Sequence, residues 1–421
     1  MIYTLKQKFI DNLIVFMLVM SSGGLLFVFN RNLMYFIFTV LLVGALIFSK
    51  NKFNRKLFNT LLLCCITIVS LFWFNYMFAL SEQSIGKYMY YTLVAIVSSL
   101  TIFHFLNNRN ESRFKLSLYF ILKLLVIHAF FQSLFYLVVG NNLQIISSAE
   151  YECATFFYLF YYASIDVNKY SEIVLFGLDV MRNQGLFWEP GVAQLFFNIF
   201  FFLEAFIIKR NKWFLIVSMV VIISTYSTAG ILILLMQLIY YFLSEWRTKF
   251  GVLVFLIIAM PISTVFLFNV EEKTSGDKEA SFQKRYFDLV QPFFIASENP
   301  LTGIGLDLYK FQEYRYEFYI DPSDYSFIEE NIGLDLKMEN TNEGSSNSFM
   351  FLLAAMGFPT GIFMFWLFFN QQIIKKRRLL FLLILSLSLF SSPLLLRPFF
   401  MFFMFSGLFY FILKLSKFQK Y

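Results

Sequence analysis

Charge is scarce in this chain. Only 14% of its 421 residues are Asp, Glu, Lys or Arg, and 59% are apolar. A soluble domain carries about 25% charged and roughly 45–50% apolar residues. With a mean hydropathy of +0.66, the chain is neither a soluble enzyme nor a disordered polymer. Eighteen glycines and eight prolines exclude a collagen-like repeat. The apolar runs are solid, which excludes a porin-type barrel of alternating strands. Three cysteines cannot build a disulfide framework. Cys64 and Cys65 adjoin inside an apolar run and Cys153 stands alone, so they read as small core residues and a free thiol. His104 and His128 are the two histidines, and no Cys/His/Asp cluster has zinc-ligand spacing. Neither G-x-x-x-x-G-K-[ST] nor G-x-G-x-x-G occurs. Gly303-Ile304-Gly305 is too little for a phosphate loop, and nucleotide use has no support.

What is present is a series of apolar runs, each near the roughly 20 residues a spanning helix needs. Candidate spans are 10–29, 33–49, 58–80, 87–106, 116–139, 190–208, 213–226, 228–243, 250–269, 347–370, 379–396 and 399–413. The expected fold is an all-α polytopic membrane protein with about twelve transmembrane helices. Lys6 and Lys8 precede the first run as in a signal peptide, but no A-x-A-like cleavage site follows, so that run is read as a retained span. Basic residues fall in alternate gaps. One side holds Lys6 and Lys8, then Lys50, Lys52, Arg55 and Lys56, then Arg109, Arg113 and Lys115. It continues with Lys209, Arg210 and Lys212, then Arg247 and Lys249, then Lys375, Lys376, Arg377 and Arg378, and ends with Lys414, Lys417 and Lys420. The short gaps on the other side hold only Arg31, Lys87 and Arg397. That asymmetry puts both termini in the cytoplasm. It also accounts for the net charge of +7 without invoking nucleic acid.

The chain reads as a single integral membrane domain, 1–421, with two long outer loops. Loop 140–189 includes Tyr151–Ile165, an aromatic-rich stretch too short to span and expected at the membrane interface. Loop 270–346, between the ninth and tenth spans, carries sixteen acids against seven bases. Its aromatics from Tyr286 to Phe327 predict that it folds in part. Lys123 and Glu204 lie in spans within about two turns of the cytoplasmic end, where snorkelling accounts for them. The spans at 213–226 and 228–243 meet at Ser224-Thr225-Tyr226-Ser227-Thr228-Ala229-Gly230. This break reads either as a tight turn or as the wall of a cavity opening outward.

Arginines on the outer side are Arg31, Arg182, Arg285, Arg315 and Arg397. Arg182 and Glu189 stand in Arg182-Asn183-Gln184-Gly185-Leu186-Phe187-Trp188-Glu189-Pro190-Gly191, where a loop turns into a helix. Pro190 suits the first helical turn and Glu189 its positive end. Glu189 reads as a cap or as a functional carboxylate. Arg182 reads as an interface anchor, a partner of Glu189 or a phosphate clamp.

These residues carry a resemblance. Arg182–Gly191 resembles the R-x-x-G-x-F-x-E-P signature of bacterial O-antigen polymerases of the Wzy type. Thr225–Gly230 resembles the T-x-S-x-x-G break of the O-antigen polymerase/ligase superfamily. Arg285 with Asn299-Pro300-Leu301-Thr302-Gly303-Ile304-Gly305 is similar to its R…N-P-x-x-G-x-G segment. Asn347-Ser348-Phe349 with Gly357 and Gly361 is similar to the N-x-x-x…G-x-x-G start of its next span. The motifs cover roughly residues 180–362, in the family's order; the N-terminal half resembles the family by hydropathy only.

The resemblance implies a GT-C-like, inverting glycosyltransferase that needs no metal, nucleotide or other cofactor. It implies a multi-pass protein of the bacterial cytoplasmic (inner) membrane with its active site facing the periplasm. The donor and acceptor would be glycans on undecaprenyl diphosphate, with membrane lipid and a chain-length regulator protein as further partners. Arg182 and Arg285 match the diphosphate-binding arginines, with Arg315 and Asn347 as further substrate-binding candidates. Glu189 and Glu343 are the candidate proton acceptors. Ligase members carry a histidine beside the asparagine, where this chain has Ser346. That departure favours polymerisation of O-antigen or capsule repeats over transfer to lipid A core, and a lipid-linked-sugar flippase is the non-enzymatic alternative.

Overall fold

The computed structural model describes residues 5–48, 53–107, 111–139, 143–147, 152–163, 172–175, 178–208, 211–245, 249–274, 279–308, 310–311 and 345–418. Helix covers the greater part of every apolar run. The helices are α1 (Leu5–Met20), α2 (Leu25–Phe29), α3 (Arg31–Ile47), α4 (Arg55–Phe78), α5 (Ile85–Asn107), α6 (Glu111–Val139) and α7 (Pro190–Phe202). They continue with α8 (Lys212–Ser224), α9 (Thr228–Glu245), α10 (Lys249–Thr274), α11 (Glu279–Glu298), α12 (Ser348–Phe369), α13 (Arg378–Leu389) and α14 (Pro398–Phe418). Asparagines start several of them: Asn30, Asn54, Asn211 and Asn347 each accept a first-turn N–H on the side chain, which satisfies donors that have no partner within the helix.

Among the described residues, six helices are long and apolar enough to cross a membrane: Arg55–Phe78, Ile85–Asn107, Ser112–Tyr136, Pro190–Ile207, Leu253–Glu271 and Ser348–Phe369. Five shorter apolar helices accompany them. The protein is a mostly helical, polytopic membrane protein. Strands appear as well, where the sequence reading foresaw none. Segment 140–189 contains β1 (Gln144–Ser147), β2 (Glu152–Phe156) and β3 (Phe160–Ala163) in one antiparallel sheet, and β4 (Glu172–Leu175) paired with β5 (Leu178–Met181). Alternation in Tyr151–Ile165 is weak because apolar and aromatic residues occupy both faces, which hides a hairpin from sequence.

The chain divides into two compact units. The first comprises Met1–Phe53, Phe103–Val270 and Ile373–Ser388, and the second Asn54–Ile102, Glu271–Gln372 and Leu389–Tyr421.

In the first unit α7 is the central helix. Val192 through Phe206 are buried on every side, among α6, α8 and α9. A helix apolar all round belongs in such a core. The window Leu253–Glu271 on α10, by contrast, is only 17% buried against 89% for Pro190–Ile207, so its apolar side chains are surface for lipid. Charges are held inside this unit. Asp11 accepts from Arg113 Nη2 at 2.7 Å and lies 2.8 Å from His104 Nε2, with all three side chains buried. Glu204 does not snorkel as expected. It is fully buried in a π turn (Leu203–Ile207) and accepts from the Tyr119 hydroxyl at 2.6 Å and the Asn211 N–H at 2.5 Å. Lys123 sits 4.0 Å from the centroid of the Phe214 ring.

The second unit is organised by α11, α12, α14 and α4. Its tightest element is the turn after α11. The N–H groups of Ile304 and Gly305 donate to the carbonyls of Ala354 and Ala355, each at 2.9 Å, and Phe358 N–H donates to Pro300 O at 2.8 Å. Asn75 Nδ2 donates to Thr302 O at 2.6 Å and to Ala355 O at 2.9 Å, and the Tyr88 hydroxyl donates to Asn75 Oδ1 at 2.6 Å. Gly303 and Gly357 have φ of 67° and 74°, and a Cβ on either would meet backbone at 2.5 Å. Only glycine fits two chains this close.

Candidate functional site

The first unit builds a polar site on the segment from Arg182 to Pro190. Four separate supports fix that segment. Arg182 Nε donates to the carbonyl of Thr225 at 3.1 Å. Asn183 N–H donates to Ser224 O at 2.9 Å, so two consecutive residues dock on the break between α8 and α9. Gly185 turns the chain at φ 56°. The next residues then pair with a break after α1: Leu25 N–H donates to Leu186 O at 2.8 Å, and Trp188 N–H to Gly23 O at 3.3 Å. Gly23 allows this approach, since a Cβ there would lie 2.4 Å from Val192 Cγ1. The run 10–29, expected as one span, therefore breaks at Ser21–Gly24. Phe187 is fully buried and stacks on Phe196 at 4.8 Å.

Glu189 occupies the N-cap position of α7, with extended backbone (φ −150°, ψ 155°) and Pro190 following at the first turn. Its backbone carbonyl accepts from Val192 and Ala193. Its side chain makes no capping hydrogen bond. Of the two readings of Glu189, the cap is absent, and a half-buried carboxylate stands at the positive end of the central helix. That end attracts negative charge.

The Thr225–Gly230 break is a tight turn, with Tyr226 in the left-handed region at φ 48°. Asn269 of α10 braces it by donating to Tyr226 O at 3.0 Å and accepting from the Thr228 hydroxyl. Gly230 lets α9 lie against Gln194, where a Cβ would be 2.8 Å from Gln194 Cβ. Below the turn, Asn198 Nδ2 donates to Gly230 O at 3.2 Å and Gln194 Oε1 at 3.1 Å, and Gln237 Nε2 donates to Asn198 Oδ1 at 2.9 Å. Among the described residues, neutral amides supply the buried polarity between these two helices.

In the second unit, Arg285 lies half-buried on α11. One turn on, buried Asp288 accepts from both the N–H (2.8 Å) and the hydroxyl (2.6 Å) of Ser346. Asn347 caps α12, its Oδ1 accepting from Phe349 and Met350 N–H at 3.1 Å each. Arg397 Nη1 donates to the Tyr90 hydroxyl at 2.7 Å. Gly303-Ile304-Gly305 spends its amides on the chain itself, as described above, and cradles nothing. Arg315 and Glu343 lie outside the described residues. Among the described residues no group of three or more His, Cys, Asp or Glu side chains could hold a metal ion.

Within the first unit the structure thus brings Arg182 and Glu189 onto one braced segment. Within the second it brings Arg285 and Asn347 to neighbouring elements linked by Asp288 and Ser346. Sequence reasoning missed Asn183, Asn269 and the Gly23-Gly24 break. The signals available were polar residues inside otherwise apolar stretches and a glycine pair within an expected span.

Residues 213–365 match a family model described as O-antigen ligase. The match supports the O-antigen ligase/polymerase superfamily and does not separate the two activities. It includes the Thr225–Gly230 break, Arg285 and Asn347, and begins after Arg182 and Glu189. No curated protein and no solved structure gave a match.

Proposed function

We propose that this protein polymerises oligosaccharide repeat units carried on undecaprenyl diphosphate. In this reading it has twelve spans, both termini lie in the cytoplasm, and the Arg182 segment faces the periplasm. The observation that carries the proposal is the placement, on one braced segment, of a guanidinium oriented through Nε and a half-buried carboxylate at a helix N-terminus. Arg182 presents a planar cation to an anionic oxygen pair, the geometry that suits phosphate. Glu189 supplies the acceptor for a proton.

The chemistry needs little more. An acceptor hydroxyl attacks the anomeric carbon of the donor sugar. The new C–O bond forms as the bond to the diphosphate breaks, and the leaving diphosphate takes the electron pair. Arginine neutralises the charge that develops on it. The hydroxyl proton passes to the carboxylate. Attack from the face opposite the leaving group inverts the anomeric centre. In the second unit Arg285 and Asn347 are assigned to phosphate and glycan binding, as is Arg315; Glu343 is the alternative proton acceptor. Ser346, where ligases carry histidine, has its hydroxyl committed to Asp288, which favours polymerisation.

Ligation is the second reading, favoured by the description of the matching family. Deletion of the gene separates the two. Loss of a polymerase leaves lipopolysaccharide with a single repeat, whereas loss of a ligase leaves none capped. Purified protein that lengthens a lipid-linked repeat supports the assignment. Purified, folded protein that transfers no sugar from such a donor refutes it.

A further inference from the structure

Two side-chain amides stand side by side in the Arg182 segment, and their circumstances differ sharply. Asn183, 3% exposed, uses its amide to the full. Its Nδ2 donates to Ala129 O at 2.9 Å, Ser133 Oγ at 2.7 Å and Ser224 Oγ at 3.0 Å, and its Oδ1 accepts from Gly185 N–H at 3.0 Å. Gln184, 0% exposed, has no hydrogen-bond partner at Nε2 or at Oε1. Next to Asn183, Gln132 donates through Nε2 to Tyr161 O at 2.7 Å and leaves Oε1 buried and unpartnered. Buried polar groups are nearly always paired, and one that is not destabilises the resting protein. An apolar residue of the same volume would serve packing better.

We propose that Gln184 is a carbohydrate-recognition residue, whose amide binds a hydroxyl of the sugar joined to the carrier's diphosphate. This rests on the function proposed above. The amide offers N–H donors and a carbonyl acceptor together. A phosphate oxygen accepts only, and a lipid tail does neither. A sugar hydroxyl both donates and accepts, so it satisfies both halves. Arg182 is two residues away, and a glutamine side chain held by no hydrogen bond changes rotamer without losing one. Asn183 stays behind as the anchor that keeps the segment on α6 and the α8–α9 turn.

The test compares wild type with Gln184→Met, which removes the amide at nearly constant volume. Calorimetry on the purified full-length protein measures binding of farnesyl diphosphate and of its hexosyl and N-acetylhexosaminyl derivatives. Wild type should bind at least one sugar-bearing lipid more tightly than the bare diphosphate. Gln184→Met should weaken that lipid about tenfold and leave the bare diphosphate within about twofold, with an unchanged or raised melting temperature. Gln184→Asn, which keeps the amide but shortens its reach, should behave like the methionine variant. Unchanged affinity of the sugar-bearing lipid in both variants overturns the inference and leaves the amide satisfied by water alone. Equal weakening of sugar-bearing and bare lipids overturns it too, as does a fall in melting temperature of Gln184→Met. A folded wild type that binds no diphosphate lipid refutes the underlying function instead.

Discussion

Arg182 donates from Nε to the carbonyl oxygen of Thr225 at 3.1 Å, across 43 residues of sequence. The bond ties the loop that precedes α7 to the turn between α8 and α9, and it sets the plane of the guanidinium. Lysine cannot do both jobs, since one ammonium has neither the fork nor the fixed plane. Arg182→Lys should therefore lower transfer at least tenfold, and Arg182→Ala by about a hundredfold or more. Glycan chain length in cells and sugar transfer by the purified protein report both. A normal ladder from folded Arg182→Ala would end the phosphate-clamp assignment.

Glu189→Gln isolates charge from shape. Glutamine keeps the volume of the side chain, and the wild-type carboxylate makes no capping hydrogen bond whose loss would loosen the start of α7, so the variant should still fold. Transfer should fall by about a hundredfold or more if the carboxylate receives the proton. Rates across pH provide the check, because the acid limb of the profile should vanish with the carboxylate. Persistence of that limb would move the base elsewhere, to Glu343 first.

Gly357→Ala and Gly303→Ala should unfold the second unit more easily. Each added Cβ would lie 2.5 Å from backbone atoms, and each residue has positive φ. Strain of this kind costs about 3 kcal/mol or more. Thermal unfolding of the solubilised variants should show it, or the protein should fail to accumulate. Gly44→Ala is the control, since a Cβ there meets nothing within 4 Å.

Ser346→Ala removes the hydroxyl that donates to Asp288 at 2.6 Å and leaves the backbone N–H donating to the same oxygen at 2.8 Å. The expected loss is modest, about 1–2 kcal/mol, and visible as a lower unfolding temperature. Asp288→Ala releases both donors and should cost more. The reverse order would mean that the serine acts otherwise than through this aspartate.

Cys153 gives a pH-dependent signal from the β2–β3 hairpin. The thiol is fully buried, and burial, with a smaller contribution from Glu152, pushes its pKa up from 9.0 to about 11. The folded state thus holds the proton more tightly than the unfolded chain. Its contribution to stability is complete below pH 9.0 and is lost as pH rises towards 11. Maleimide should not label Cys153 in native protein at pH 8 and should label it after denaturation. Rapid native labelling would show that the hairpin opens.

The sequence by itself determined the class of protein and the places of its helices. Solid apolar runs have few other outcomes than spans, because buried backbone must satisfy its own hydrogen bonds. It also marked the Arg182 and Thr225 stretches, since arginine, glutamate and polar breaks stand out against apolar surroundings. Other features were decided only by contacts between residues far apart in the chain. The Thr225 carbonyl fixes Arg182, Asn269 braces Tyr226, and Gly23-Gly24 splits an expected span so that Leu186–Trp188 can pair with it. The Pro300–Gly305 turn is a backbone clasp on α12. Glu204 is buried with Tyr119 rather than reaching for solvent. Apolar periodicity cannot foretell such features, because a hydrogen bond or a close backbone approach is specified by one partner's position relative to another. That position exists only once the helices have packed.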